Sequence, residues 1–226
     1  GAKRIYVASR LFTDAREIVR EAPYKLVAIE LDVTRPEQII SASQQCMDVN
    51  LLINNAGVYL GETLMKADTM DALRLEMEVN YFGVVAMCRA FAPVLANNGG
   101  GAIANVNSAG GIISSPIMGG YSPSKFAARS ATTCIRAELG PAGTSVTALI
   151  VGSVDTRMAA SVVGAKAKAE DIAKEGLFAV KNCIDEWDTD PMATNVRAKL
   201  ALDPKAMEVM MRKRLESGVL NTAEST

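Results

Sequence analysis

The 226-residue sequence contains no histidine. That excludes the Ser-His-Asp and Cys-His nucleophile systems and every histidine-ligated metal site. Cysteine is scarce: Cys46, Cys88, Cys134 and Cys183 stand far apart, with no C-x-x-C pair. Such spacing offers neither a zinc cage nor a thioredoxin-like motif, so no metal site is expected. Isolated thiols with apolar neighbours point to a reducing compartment, most simply the cytoplasm. Neither sign of charge is in excess, with 24 Lys and Arg against 25 Asp and Glu, a net charge of −1. No block of one sign marks a nucleic-acid partner or an anionic membrane surface. Uninterrupted apolar runs stop short of the ~18 residues of a membrane span, so no membrane partner is expected. No basic segment followed by an apolar stretch opens the chain, as a secretory signal would require.

What is present suits a folded core. Hydrophobic residues make up 49% and charged residues 22%, close to globular averages and far from a disordered composition. Residues 3–9, 24–31, 49–53, 102–106 and 145–151 are short apolar or β-branched runs and read as strands. Helical stretches fall between them, at 13–21, 35–47, 70–96 and 121–139. Thr13 or Asp14 is a candidate N-cap, and Pro36 suits a first helical turn. Beyond residue 159 the sequence reads as mostly helical and polar. Residues 183–187 offer at most a short strand, and 203–217 read as an amphipathic helix with apolar Met207, Met210, Met211 and Leu215. That methionine cluster suits packing or a subunit contact. Strands alternating with helices predict an α/β fold, a doubly wound, mostly parallel sheet with helices on both faces. Ligands of such sheets bind at the carboxyl ends of the strands.

The residues there carry the chemistry. Tyr121 and Lys125 are spaced i, i+4, on one face of a helix. An ammonium beside a phenol favours the phenolate, which makes a proton donor and acceptor. Ser108 ends a strand 13 residues earlier, where its hydroxyl can meet a carbonyl oxygen. Asn80 lies mid-helix, a poor place for Asn, which suggests a kink or a bound water. Asn54-Asn55-Ala56-Gly57 follows a strand and lets backbone approach a flat ligand. Asp32 can meet a base or ribose, or cap the next helix. Arg10, after Ser9, can bind a 2′-phosphate through charge-assisted bonds. Taken singly, each has a plainer reading as a turn, a cap, a tolerated polar residue or a surface cation.

Taken in order, Ser9-Arg10, Leu31-Asp32-Val33, Asn54 to Gly57, Asn80, Ser108, Tyr121-x-x-x-Lys125 and Gly152-Ser153-Val154-Asp155-Thr156 resemble the short-chain dehydrogenase/reductase family. The resemblance implies a Rossmann-like domain and an NAD(P)-dependent oxidoreductase acting on a small carbonyl/alcohol pair. By it, Tyr121 is the general acid/base, Lys125 lowers its pKa and holds the nicotinamide ribose, Ser108 polarises the carbonyl, and Asn80 holds a relay water. Asp32 and Val33 would meet the adenine. Asn54, Ala56 and Gly57 would flank the ribose and nicotinamide, and Val154 and Thr156 would fix the carboxamide. Arg10, with no acidic residue at Ser9, favours NADP over NAD. The expected organisation is one dinucleotide-binding and catalytic domain over 1–226, with cofactor and catalytic core in 1–156 and a substrate lid with C-terminal helices in 157–226. Ile112, Ile113, Ile117 and Met158 suggest an apolar acceptor, and the two long helices suggest a homodimer or homotetramer.

The pattern also departs from the family. Its Pro-Gly pair is Val151-Gly152 here. Its opening strand and glycine-rich turn, whose helix N-terminus binds pyrophosphate, are not seen. About two dozen residues, the first strand and helix, are expected to be absent, leaving unpaired strand edges and weak cofactor binding. A non-catalytic NADP-binding sensor or scaffold with the same fold is the alternative function.

Overall fold

The computed structural model describes residues 1–160, 162 and 164–216. Its elements run β1 (Ile5–Ser9), α1 (Phe12–Val19), β2 (Leu26–Glu30), α2 (Pro36–Gln45), β3 (Leu51–Asn54) and α3 (Asp71–Met77). A π-helical segment (Glu78–Gly83) leads into α4 (Val84–Asn97), β4 (Gly101–Val106) and a 3-10 turn (Ala109–Gly111). Then come α5 (Tyr121–Leu139), β5 (Thr144–Ile150), α6 (Ala169–Lys181), β6 (Glu186–Asp188), α7 (Pro191–Leu202) and α8 (Pro204–Glu216). Every strand pairing is parallel, so each crossover carries a helix and the strands end on the same side.

Helices lie on both faces, as the continuous apolar strands predict. Along β4, Ile103 packs with Phe91 and Leu95 of α4, while Ala104 and Val106 pack toward Ala179 and Val180 of α6. Along β5, Val146 joins the first cluster and Leu149 the second. This is the period-2 alternation of a strand covered on both sides. The larger cluster also takes Ile29 and Leu31 from the end of β2 and Ile39 and Ala42 from α2.

The hydrogen-bonded sheet is divided. β1 and β2 form one ladder, and β3-β4-β5-β6 form another. β1 and β3 are each paired along one edge only among the described residues. Ile5 and Ile53 on those strands are 42% and 51% exposed. The shared core of α2 and α4, rather than backbone pairing, joins the two ladders.

Two local expectations change, and others are refined. The N-cap of α1 is Leu11 and no side chain caps it, so neither Thr13 nor Asp14 has that role. The single helix expected at 70–96 is three pieces, with a π-helical segment around Asn80. By length and mean hydropathy (1.5 over its most apolar window) the stretch Asp71–Asn97 would be long and apolar enough to cross a membrane, but half of that window is buried inside the fold. The short strand at the C-terminal end is real and pairs with β5 at Glu186–Asp188. Asp190 and Pro191 start α7 as N-cap and first residue, with the Asp190 carboxylate accepting from the Met192 and Ala193 amides. Met207 and Met211 of α8 are buried against Ile113, so packing accounts for them. Ser217, the expected end of that helix, lies outside the described residues.

Candidate active site

The sequence-predicted residues gather at the carboxyl ends of the parallel strands. Ser9 and Arg10 end β1, Asp32 and Val33 follow β2, Asn54 to Gly57 close β3, Ser108 follows β4, and Val154 and Thr156 follow β5. Tyr121 and Lys125 open α5, whose first turn faces the 3-10 turn after Ser108.

Asn80 is fully buried. Its Nδ2 donates to the Val58 carbonyl at 2.9 Å and to Ser124 Oγ at 3.0 Å, and its Oδ1 accepts the Val58 N–H at 2.8 Å. The amide therefore clamps the strap after β3 to α5. A π-helical turn is what lets a helix interior present such a side chain inward, and these turns concentrate at functional sites. One Oδ1 lone pair remains for a water. It lies beside Gly57, where a Cβ would stand 3.2 Å from Asn80 Oδ1 and 3.6 Å from Lys125 Nζ. Gly57 thus keeps open a spot that both groups reach.

Lys125 is buried, and one of its three donors goes to the Val106 carbonyl at 2.9 Å. Burial pulls its ammonium from 10.5 down to about 8. Its Nζ lies 5.7 Å from the centre of the Tyr121 ring. The Tyr59 ring meets Tyr121 edge-on at 5.3 Å, and the Tyr59 hydroxyl donates to the Ile117 carbonyl. Burial pushes the Tyr121 phenol above its ordinary value, the neighbouring Ser108 hydroxyl pulls it down, and Glu76 and Tyr59 push it further up. The expected depression by Lys125 is not the dominant effect here, because burial penalises phenolate and ammonium alike. Ser108 Oγ also accepts the Gly110 N–H at 3.0 Å, which fixes the serine at the start of its turn.

The adenine end is looser. Asp32 Oδ1 accepts from the backbone and hydroxyl of Thr34, an Asx turn before α2 rather than a cap on it. Burial pushes the Asp32 carboxyl up, but the two Thr34 hydrogen bonds and, after them, the charges of exposed Arg10 and of Arg35 bring it below its ordinary value. Val33 lies against Gly83 so closely that a Cβ at Gly83 would overlap it. Asn54 differs from its expected place. Its side chain is buried and donates to Asn105 Oδ1 at 2.8 Å and Cys88 Sγ at 3.3 Å, facing the core rather than a ligand. Asn105 in turn donates to Thr132 Oγ1, which donates to the Ala128 carbonyl. This chain ties β3, β4 and α5 together, and only the Asn54 backbone is left to meet a cofactor. Ala56 is exposed. Thr156 is exposed and Val154 pairs with Ala167, with no direct polar contact to the Tyr121 cluster.

Three residues that sequence reasoning missed support the site. Tyr59 had no local signal. Glu76 is a charged residue on an otherwise apolar helix face, four before Asn80, and that conflict was readable. Asp190 accepts the Gly152 N–H at 2.7 Å while capping α7, and a Cβ at Gly152 would overlap its carboxylate. The Asp-Pro pair signals that cap, but nothing local signals its reach to the loop after β5.

A family model described as short chain dehydrogenase matches residues 1–167. The chain belongs to that family. Within it, the chain is 34% identical over 142 residues to Dehydrogenase/reductase SDR family member 7B of Mus musculus, covering 61% of this chain and 43% of that protein. It is 43% identical over 105 residues to 3-ketodihydrosphingosine reductase of Bacteroides thetaiotaomicron, covering 46% and 38%. The chain thus spans less than half the length of these curated relatives. Among solved structures, a short chain dehydrogenase from Burkholderia cenocepacia J2315 in complex with NADP superposes with a TM-score of 0.87 at 36% identity, covering 93% of this chain and 87% of that one. The Rossmann-like fold expected of this short-chain dehydrogenase is therefore the one it has, and it is of an oxidoreductase family.

Proposed function

We propose that the protein is an NADP-dependent reductase of an apolar carbonyl compound, or the corresponding alcohol dehydrogenase, with Tyr121 as general acid/base. The observation that carries this reading is one connected cluster: Asn80 and Lys125 meet beside Gly57, Lys125 Nζ lies 5.7 Å from the centre of the Tyr121 ring, and Ser108 neighbours the Tyr121 phenol. The residues present fit the nicotinamide-ribose end of a cofactor. Lys125 has donors to spare beside Gly57, and the open spot there is one that a side chain would fill. When bound, the nicotinamide supplies or accepts the hydride. Ser108 orients the substrate oxygen. Tyr121 gives that oxygen a proton in reduction and takes it back in oxidation. Lys125 holds the ribose hydroxyls and lends its charge to the phenolate. Asn80 Oδ1 steadies a water beside Lys125 that passes a proton from solvent back to Tyr121 in reduction and on to solvent in oxidation.

Arg10 supports NADP over NAD, as does the bound cofactor of the similar Burkholderia structure. We expect Arg10→Ala to lower the preference for NADPH over NADH roughly tenfold, the size of one lost charge-assisted contact. Michaelis constants for both cofactors check it, and an unchanged ratio removes the 2′-phosphate role.

Ile112 and Ile113 are packed into the core, so the apolar rim falls to Ile117, Met158, Leu60 and Leu64, of which the last three are 45% to 51% exposed. The names of two relatives, a 3-ketodihydrosphingosine reductase and an estradiol 17-beta-dehydrogenase, denote apolar carbonyl and alcohol compounds and support an apolar substrate. A cytoplasmic setting is part of the proposal and rests on four unpaired thiols. So is a homodimer or homotetramer, for which exposed Leu75, Phe82 and Phe126 on the long helices are the candidate contact. Light scattering should then give at least twice the chain mass, and a monomer at micromolar concentration rejects it.

The full-length protein should oxidise NADPH when offered a panel of long-chain and steroidal ketones. Binding of NADPH without turnover on the panel would favour a sensor or scaffold instead.

A further inference from the structure

Glu76 stands out among the buried polar groups. It is 1% exposed and sits on α3, one turn before Asn80. Its Oε1 accepts the Leu60 N–H at 2.7 Å. Its Oε2 is buried without a hydrogen-bond partner. That oxygen lies against Gly120, so close that a Cβ there would overlap it. Gly120 is the N-cap of α5 and directly precedes Tyr121, and no side chain caps that helix. Leu60 directly follows Tyr59, the ring set edge-on to Tyr121. One carboxyl group therefore touches both segments that hold the two rings. An apolar residue would fill this site without leaving an orphaned oxygen, whose burial is destabilising. A carboxylate at the start of a helix recovers part of that cost.

We propose that Glu76 is a positioning residue for Tyr121, a buried carboxylate that fixes the strap roofing the phenol and sets a negative charge beside it. The proposal rests on the reading of Tyr121 as the proton donor. The groups facing this pair are Tyr59 and Glu62 from the strap after β3, Ser108 from the end of β4, Asn80 from the π-helical segment and Lys125 from α5. Burial pushes the Glu76 carboxyl above its ordinary value and the Leu60 N–H pulls it back; once ionised it opposes the phenolate, while the Lys125 ammonium favours the phenolate only as long as it keeps its proton. Glu76 thereby keeps the phenol protonated over a wider pH range, which suits a group that must donate its proton during reduction.

Glu76→Gln keeps the size of the side chain and the acceptor for Leu60 but removes the charge. The phenol is read directly by NMR of ring-labelled tyrosine in the full-length protein, with the Tyr121 signal assigned by its loss in Tyr121→Phe. We expect the Tyr121 midpoint to fall by about half to one pH unit, a roughly threefold to tenfold weaker hold on the proton. The alkaline limb of the kcat profile should move by the same amount. A purely structural role would weaken folding and leave the midpoint where it was. An unmoved or raised midpoint overturns the proposal. Should the glutamine variant not fold, Glu76→Met, which suits the apolar face of α3, carries the same test. The NMR readout needs no turnover. Activity retained by Tyr121→Phe would sink the functional reading alone, whereas an unmoved midpoint would sink only the role of Glu76.

Discussion

Tyr121→Phe is expected to slow NADPH-dependent carbonyl reduction by ~10²- to 10⁴-fold, the usual worth of one positioned proton donor. The loss should appear in kcat, with little change in KM, because the phenol acts on developing charge rather than on ground-state binding. The substitution leaves the ring and its edge-on contact with Tyr59 in place. It removes only the hydroxyl that neighbours Ser108. Urea midpoints should therefore stay close to wild type, within the ~1 kcal/mol of one net hydrogen bond. A variant that is folded, binds NADPH and turns over at the wild-type rate would refute the assignment of Tyr121.

Lys125→Met should have the second-largest effect, and it is one of stability against pH. In the folded chain burial pulls the ammonium down to about 8, against 10.5 for an unburied lysine. Between those two values the unfolded chain binds more protons than the folded one, so wild-type stability rises with pH. Below pH 8 the cost of the buried ammonium is present in full. Above pH 10.5 both states are neutral and the cost is gone. Relative to the methionine variant, the wild type should gain on the order of 3 kcal/mol across this window. Urea unfolding of both proteins at pH 7, 9 and 10.5 measures it. Subtracting the variant cancels the tyrosines and cysteines that titrate in the same range. A difference that stays flat from pH 7 to 10.5 would show that the ammonium is solvated in the folded protein. The same substitution should depress turnover, since it removes the cation that favours the phenolate.

Much of the fold was legible because it is written in local patterns. Continuous apolar strands alternating with helices led to a parallel sheet covered on both faces, and Ile103 against Ala104 shows that covering residue by residue. Tyr121 and Lys125 were legible because i, i+4 spacing on a helix is a local rule. What stayed hidden depends on contacts between distant segments. Asn54 reads as a ligand residue at a strand end, yet its side chain faces Asn105, 51 residues away. The Lys125 effect on Tyr121 was overestimated because a sequence gives spacing but not burial, and here burial acts on both groups. Asn80 signalled a break in its helix, but the π-helical turn and its clamp on Val58 need the packed strap to be seen.

The central claim is that hydride transfer to the carbonyl carbon depends on proton transfer to its oxygen from the Tyr121 phenol. The most direct measurement follows deuterium from C4 of labelled NADPH, with the full-length protein and the best ketone of the panel. The account predicts deuterium on the carbinol carbon of the product with the wild type, and a rate of label transfer at least ~100-fold lower with Tyr121→Phe. NADPH bound without any label reaching product, or equal label transfer by both proteins, would contradict it.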